Sequence, residues 1–414
     1  MMEFVNLTEA EYRSFWEQYP NRTFLNSPES AALKKKENWK TEFVGVKENG
    51  SILCAALISS IPVMKVYRYF YVQRGFLIDY SDRELLKFFT DELVKYTKNQ
   101  KGLYILADPY VLYKERDING ELVEGGFDNS YVIENMEACG FEHQPFIRSY
   151  DGGEVKWMFS LYLDGKDEKT LLKEMHQQTR WSVNRTRKEG VQVRELADDE
   201  MDIFYTMMTE TAVRRHFETR DRNFFKLQKE MYGDHVKVVA AYLDVSDYLN
   251  KLAQEKDRLD KEMTEIDAKL AEVAKSKKFL KRQRVAQEAL DLNAKKTKEA
   301  QELMDKYGEI VYMASAVFTI YDNEVVYLFS ATHDQFRKYY APYAIQWYMI
   351  RYALEHHIPR YNFYGISGNF SEDADDYGVY MFKKGFNGVV EQLVGDFIYP
   401  LRKGAYSMYK SLKK

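Results

Sequence analysis

The sequence predicts an α/β (α+β) protein of two related domains, with an antiparallel helical hairpin inserted in the second. Three observations predict this. Strand-like and helix-like segments alternate through the first third of the chain. A similar order returns after residue 156. Residues 246–306 hold no Gly and no Pro and carry apolar residues at sevenfold spacing.

Thr8 with Glu11 three positions on is a capping box, so Thr8–Tyr19 is read as a helix. Ser27 followed by Pro28 opens a second helix to Trp39, which carries Lys34, Lys35 and Lys36. Asn49-Gly50 joins two strands, Phe43–Val46 and Ser51–Pro62. A strand at Tyr67–Leu77, a helix at Asp82–Asn99 and a buried strand at Gly102–Asp108 follow. The second round has a strand at Lys156–Leu163 and a helix at Glu168–Glu189 stopped by Gly190. Helices at Asp199–Arg214 and Arg222–Tyr232 come next, then a strand at Val236–Leu243. Strands at Ile310–Tyr321 and Val325–Ala331 pair around Asp322-Asn323. A helix at Tyr343–His356 and strands at Arg360–Tyr364 and Val389–Phe397 close the round.

In the inserted run, Leu252, Leu259, Ile266 and Val273 are spaced by seven, with Met263 and Leu270 at the complementary position. Lys275–Lys278 breaks the pattern and marks the tip, and Val285, Ala289, Leu292 and Leu303 are the candidate return seam. At 1.5 Å per residue, arms of ~30 residues reach roughly 45 Å. One continuous helix would instead need a second copy to cover its stripe; because the arms leave and re-enter a strand pair, a hairpin is expected.

Among 414 residues, 45% are apolar, 30% charged and 15% aromatic, including 33 Tyr, which suits rings lining a groove for polar, extended ligands as well as core. A net charge of −4 excludes a globally basic nucleic-acid scaffold, so an anionic partner must meet a local basic patch. Cys54 and Cys139 form no CxxC and point to a reducing compartment without a zinc site. The first twenty residues lack a signal-peptide pattern, and no run reaches ~18 apolar residues. A cytosolic protein touching a membrane only peripherally is expected.

HExxH, GxSxG, Walker A and GxGxxG motifs are absent. His356-His357 has no partner at metal-ligand spacing. A coenzyme A loop needs Arg/Gln-x-x-Gly-x-Gly/Ala, and the nearest segment, Arg187–Gln192, ends in Gln, so that cofactor is disfavoured. Four constellations remain. Arg180, Arg185, Arg187 and Lys188 cluster on one helix and suit phosphate contacts, or equally a solvated helix end. Thr211, Arg214, Arg215 and Arg220 end another helix and suit a diphosphate, or surface ion pairs. Lys383, between Phe382 and the Lys384-Gly385 step, directly precedes a strand and suits oxyanion stabilisation in a cleft. Ser27, Pro28, Glu29, Lys34, Lys36, Trp39, Tyr104 and Asp108 are candidates for lining a groove in the first domain.

The segments ETAVRRHF (210–217), NRTRKEGV (184–191), YAPYAIQWYMIRYA (340–353), YNFYGISG (361–368) and FKKGF (382–386) together resemble the FemABX family, over nearly the whole chain. The inserted arm resembles its FemA and MurM-like branches. The resemblance implies two GCN5-related acetyltransferase-like domains, over 1–155 and 156–395, with the arm at 246–306. It also implies that segment 396–414 returns to the first domain. It further implies transfer of an amino acid (Ser, Ala or Gly) from aminoacyl-tRNA to the side-chain amine of the peptidoglycan stem peptide. The acceptor is lipid II or UDP-MurNAc-pentapeptide, and no cofactor beyond the aminoacyl-tRNA co-substrate is implied. By resemblance, Arg214 and Lys34, with Lys36 as fallback, contact the acceptor diphosphate. Trp39, Tyr104 and Asp108 line the acceptor groove, with Thr211, Arg220 and Tyr343 as further substrate-binding candidates. Phe382 and Lys383 lie near the terminal adenosine of tRNA, and Lys384 joins Arg180, Arg185, Arg187 and Lys188 as candidate tRNA contacts. Arg215-His216 departs from the Asp-Gly of many relatives and leaves acceptor choice open.

An aminoacyl ester is already activated, so chemistry reduces to positioning a free amine and stabilising an oxyanion. A lysine amine of pKa ~10.4 must first lose a proton; Asp108 is a candidate to orient or accept from it, and no His or Glu stands out as a base. Positioning with Lys383 electrostatics is expected to dominate, with the substrate's own groups assisting proton loss. The rival readings are an acyltransferase of the same fold with another donor, a non-enzymatic protein whose arm binds a partner or second copy, and a tRNA-binding accessory factor. The Lys275–Arg284 tip is either a tRNA phosphate contact or a solvated coil surface.

Overall fold

The computed structural model describes residues 1–150 and 153–412. The strands are β1 (Glu3–Asn6), β2 (Lys40–Glu48), β3 (Ser51–Val63), β4 (Tyr67–Val72), β5 (Gly102–Ala107), β6 (Glu142–His143), β7 (Trp157–Tyr162), β8 (Val191–Glu195), β9 (Val236–Asp244), β10 (Ile310–Ile320), β11 (Val325–Thr332), β12 (Arg360–Ile366), β13 (Val389–Gln392) and β14 (Phe397–Pro400). The helices are α1 (Glu9–Gln18), α2 (Pro28–Lys36), α3 (Arg83–Asn99), α4 (Ser130–Ala138), α5 (Glu168–Glu174), α6 (Gln177–Lys188), α7 (Met201–Arg215), α8 (Arg222–Tyr232), α9 (Val245–Glu272), α10 (Lys277–Tyr307), α11 (Ala341–Glu355), α12 (Tyr377–Lys384) and α13 (Lys403–Leu412).

Two seven-stranded sheets run in matching order, β1-β2-β3-β4-β5-β14-β6 and β8-β9-β10-β11-β12-β7-β13. Each contains one parallel pair, β4 with β5 and β11 with β12, among antiparallel neighbours. A parallel step needs a crossover, supplied by α3 and by α11. Pairing of β11 with β12 is confined to Val325↔Tyr361 and Val326↔Asn362. The chain end closes the first sheet: β14 pairs with β5 and β6, the place that β7 takes in the second sheet.

Local chemistry accounts for many boundaries. Thr8 and Glu11 form the capping box of α1, and Ser27 accepts from the Ser30 amide at the start of α2. Asn49 (φ 49°) and Gly50 (φ 85°) supply the two left-handed residues that a tight β2–β3 turn demands. Leu86, Phe89 and Leu93 on α3 pack with Phe70, Val72 and Ile105 on the first sheet. Ile345, Met349, Ile350 and Ala353 on α11 do the same on the second.

Three readings are corrected. The helix expected at Glu168–Glu189 is two helices, because Met175 and His176 are extended (ψ 146° and 144°) and the His176 amide donates to the Gly385 carbonyl at 3.0 Å. The strand expected at Val389–Phe397 is two strands in different sheets, with Gly395 at φ 90° between them. The strand expected at Tyr67–Leu77 stops at Val72, before the left-handed pair Arg74 and Gly75.

The insertion is a pair of packed helices, α9 and α10, turning at 273–276. Leu252, Leu259 and Ile266 are buried on α9, while Val273 is exposed. On α10 the buried seam is Ala286, Asn293 and Ala300, one position later than Val285 and Leu292, which are both exposed. The α10 side of the seam is made of small or polar residues, and Asn293 is satisfied there: its Nδ2 donates to the Leu252 carbonyl at 3.0 Å.

Candidate active site

Of the first-domain candidates, Lys34, Trp39, Tyr104 and Asp108 converge beside β4 and β5, whereas Ser27 and Glu29 are held elsewhere, Glu29 pairing with Arg13 and accepting from the Tyr321 hydroxyl at 3.0 Å. Lys34, in the last turn of α2, places its Nζ 4.9 Å from the centroid of Trp39 and 5.2 Å from that of Tyr71. Burial pulls its pKa down, opposed by the nearby Glu154 and Asp108 carboxylates. From Trp39 a run of rings continues through Tyr69 (5.9 Å) to Tyr104 (4.7 Å) and on to Tyr406 (4.8 Å) and Tyr409 (5.8 Å) of α13. Lys36 is exposed on the same turn.

Behind Lys34 lies a buried charge cluster. Asp108, just past β5, accepts from the Arg74 amide at 2.8 Å and faces its guanidinium at 3.4 Å. Burial pushes the Asp108 carboxyl up to about 7 despite that cation. Arg74 also donates to the Val155 carbonyl at 3.0 Å and lies 3.7 Å from Glu154. The Tyr364 hydroxyl reaches Glu154 at 3.3 Å, so β12 of the second sheet joins the cluster. Arg74, Glu154, Tyr71 and Tyr364 were not singled out from the sequence. An arginine between apolar strands, in Tyr71-Val72-Gln73-Arg74-Gly75-Phe76, was the available signal for one of them.

Lys383 is 5% exposed in the last turn of α12. Its Nζ donates to the carbonyls of Gly365 at 2.5 Å and Tyr364 at 3.3 Å. Burial draws its pKa down to about 7. Sequence spacing put this lysine directly before a strand; it ends a helix instead, and Gly385 lets that helix end approach α6, since a Cβ there would sit 2.0 Å from Thr179 Oγ1. Phe382 stacks edge-on against Tyr343 (4.9 Å), with Phe386 also in contact.

Next to this helix end, α6 and the start of α11 enclose an open cleft of about 750 Å³, lined by Gln177, Gln178, Arg180, Trp181, Asn184 and Tyr340. Arg180 donates to the Lys173 carbonyl at 3.0 Å. Arg187 and Lys188 are exposed at the end of α6. Arg185 is engaged differently: it pairs with buried Glu189, which also holds Lys296 of the arm at 2.8 Å. Lys384 covers Tyr380 at 5.3 Å.

Thr211 and Arg214 meet at the end of β11. Both donate to the Thr332 carbonyl, at 3.2 and 3.1 Å. Arg220 is exposed beyond α7, with its guanidinium 5.0 Å from the Phe224 ring. His216 ends α7 in the left-handed conformation (φ 57°), the geometry for which Gly would be favoured.

Two sheets of matching order are thus joined through a polar cluster that Tyr364 links to Lys383. The FemAB family model matches residues 7–414. The chain belongs to the FemAB family. Two Staphylococcus aureus proteins named aminoacyltransferase FemA, of strains bovine RF122 / ET3-1 and N315, are each 37% identical over 415 residues, covering 100% of this chain and 99% of theirs. Like those FemAB relatives, the chain is an aminoacyltransferase. A crystal structure of FemX shares the fold, with a TM-score of 0.83 at 24% identity over 98% of this chain and 99% of that one. A tandem GNAT protein from the clavulanic acid biosynthesis pathway aligns with a TM-score of 0.50 at 11% identity over 97% and 99% of the two chains. The mixed α/β architecture of this FemAB-family chain is therefore shared with tandem acetyltransferase-like proteins.

Proposed function

We propose that this aminoacyltransferase builds the peptidoglycan interpeptide bridge, moving Ser, Ala or Gly from aminoacyl-tRNA to the side-chain amine of a stem peptide. The observation that carries the reading is the position of Tyr364. It contacts the Arg74–Asp108–Glu154 cluster through its hydroxyl and Lys383 through its carbonyl, so an acceptor on one side and an acyl donor on the other would meet there. Lys34 and the Trp39–Tyr69–Tyr104 rings suit an acceptor carrying phosphates and a flexible peptide, either lipid II or UDP-MurNAc-pentapeptide. Arg214, held by Thr332, and exposed Arg220 and Lys36 are the second set of acceptor contacts. Phe382, Tyr343 and the α6–α11 cleft suit the terminal adenosine of tRNA, with Arg180, Arg187, Lys188 and Lys384 toward its phosphates.

In this reading the acceptor amine loses its proton to the Asp108 carboxylate, directly or through water. It then attacks the ester carbonyl, forming the C–N bond. The Lys383 ammonium stabilises the tetrahedral oxyanion, and the ester C–O bond breaks as the proton lost by the attacking nitrogen passes to the departing ribose oxygen, which leaves as a hydroxyl. No cofactor is required, because the donor arrives activated. No helix among the described residues is long and apolar enough to cross a membrane. In this reading the enzyme works in the cytoplasm, at the inner membrane face when its acceptor is lipid-linked.

The test supplies Ser-, Ala- and Gly-charged tRNA with a lipid II analogue. A mass gain of one amino-acid residue, abolished by RNase, is expected. Absence of any gain with all charged tRNAs would move the arm-mediated binding protein to first place.

A further inference from the structure

We propose that α13 and the β3–β4 turn form a docking surface for an anionic phospholipid bilayer. It deepens the acceptor reading, on which its catalytic use rests, by assigning a surface that would bring the groove to a lipid-linked substrate.

The charge is local and one-signed. From Arg402 to Lys414 the sequence has five basic residues and no acidic one, in a chain of net charge −4. Arg402, Lys403 and Lys410 are exposed, as is Lys65 in the β3–β4 turn. Glu142 is the acidic side chain beside Lys403 and Lys410, on the flank nearest β6. The apolar component is also exposed. Met408 (54%) and Leu412 (72%) lie four residues apart on the opposite flank of α13, and Val66 (62%) projects from the turn. Arg402 lies 5.6 Å from the ring of Tyr67, so the start of α13 touches the start of β4. Val63, Met64 and Tyr67 pack on the same small core, Leu103, Tyr104 and Tyr406, as Ala405 and Tyr409 of α13. Exposed apolar side chains on one flank and lysines on the other, on a short helix anchored by its tyrosines, fit an interface of acyl chains and anionic headgroups.

The position gives the surface a use. Tyr406 and Tyr409 of α13 contact Tyr104, whose ring continues through Tyr69 and Trp39 to Lys34. A bilayer at α13 would therefore lie at the end of the aromatic run that leads to Lys34.

The full chain is tested with extruded vesicles that contain no peptidoglycan precursor. It is expected to co-sediment with phosphatidylglycerol-rich vesicles at low salt and to stay in solution with phosphatidylcholine alone. The double change Lys403→Glu/Lys410→Glu is expected to lower the bound fraction at least about tenfold. Met408→Ser/Leu412→Ser is expected to lower it about threefold or more, and to do so at low and high salt alike. Both variants are expected to retain transfer to a water-soluble acceptor. Vesicle binding unchanged in both variants would overturn the proposal, as would loss of soluble transfer, which would assign these residues to the active centre. Weakened binding of free tRNA in the charge variant would reassign the patch to nucleic acid. A smaller sedimenting mass for the Met408/Leu412 variant would reassign it to a second copy of the chain. Vesicle binding that persists in a chain inactive with every donor would support the surface while rejecting the acceptor reading.

Discussion

Tyr364 accepts from Lys383 Nζ through its backbone carbonyl, at 3.3 Å, while its phenol reaches across to Glu154 and Arg74. The residue is left-handed (φ 62°), at an irregularity where the register of β12 against β7 shifts between Asn362 and Gly365. That conformation is costly for a side chain as large as tyrosine. The Asn362 side chain supports it by accepting from the Tyr364 amide at 2.8 Å. One strained residue thus connects Glu154 and the buried Arg74 guanidinium with the buried ammonium of Lys383.

Lys383→Met is expected to lower kcat by about 100-fold or more while leaving acceptor affinity within about twofold. Single-turnover transfer beside acceptor titration measures the two separately. Near-normal turnover would remove Lys383 from the chemistry.

The pH profile follows from two groups whose pKa values are drawn together. Burial raises Asp108 to about 7 and lowers Lys383 to about 7. Catalysis needs the Asp108 carboxylate, whose fraction rises with pH through that region, and the Lys383 ammonium, whose fraction falls through it. A narrow bell with its maximum near neutrality is expected for kcat. Asp108→Asn should remove the acid limb along with most activity, and residual activity in Lys383→Met should lack the alkaline one. An activity that keeps climbing well into the alkaline range in the parent enzyme would contradict the assignment.

Lys34→Ala is expected to raise KM for a diphosphate-bearing acceptor about tenfold and to reduce its salt dependence, with kcat little changed. Trp39→Ala should produce a smaller rise without the salt effect, because the ring supplies packing and a cation–π contact. An acceptor analogue lacking phosphates should lose the distinction between these variants.

The exposed and the paired basic residues in the last turn of α6 should separate in a tRNA titration. Arg187→Ala/Lys188→Ala is expected to weaken charged-tRNA binding and to lower the magnitude of its log–log salt slope by about one to two. Arg185→Ala should leave the slope unchanged and loosen the root of the arm, since Arg185 shares Glu189 with Lys296.

Within the arm, Leu259→Ala is expected to cost about 2–4 kcal/mol of local stability, and Asn293→Ala about 1–2 kcal/mol through the lost bond to the Leu252 carbonyl. Hydrogen exchange across α9 and α10 would show both, with the two sheets unaffected. Equal protection in parent and variants would mean that the arm is not held by this seam.

Legibility followed the range of the interactions. The cap at Thr8, the Asn49-Gly50 turn and the α9 stripe at Leu252, Leu259 and Ile266 are set by neighbours within about seven residues. The α10 seam was misread by one position because Ala286 and Asn293 carry weaker apolar signals than Val285 and Leu292, which face solvent. The break at Met175-His176 has no Gly or Pro to announce it; the His176 amide is taken by the Gly385 carbonyl, more than two hundred residues away.

The sequence by itself determined the alternation of elements, the sevenfold stripe of the arm and the family motifs that contain Arg214 and Lys383. Only the tertiary structure decided that β14 pairs between β5 and β6, that Arg74 lies between Asp108 and Glu154, and that Lys383 is buried against Tyr364 and Gly365. The reason is physical. Caps, turns and helical stripes are fixed by short-range sterics and periodicity. A buried charge is tolerated only where several distant segments bring donors and acceptors to it at once, and that condition exists only after the sheets have packed.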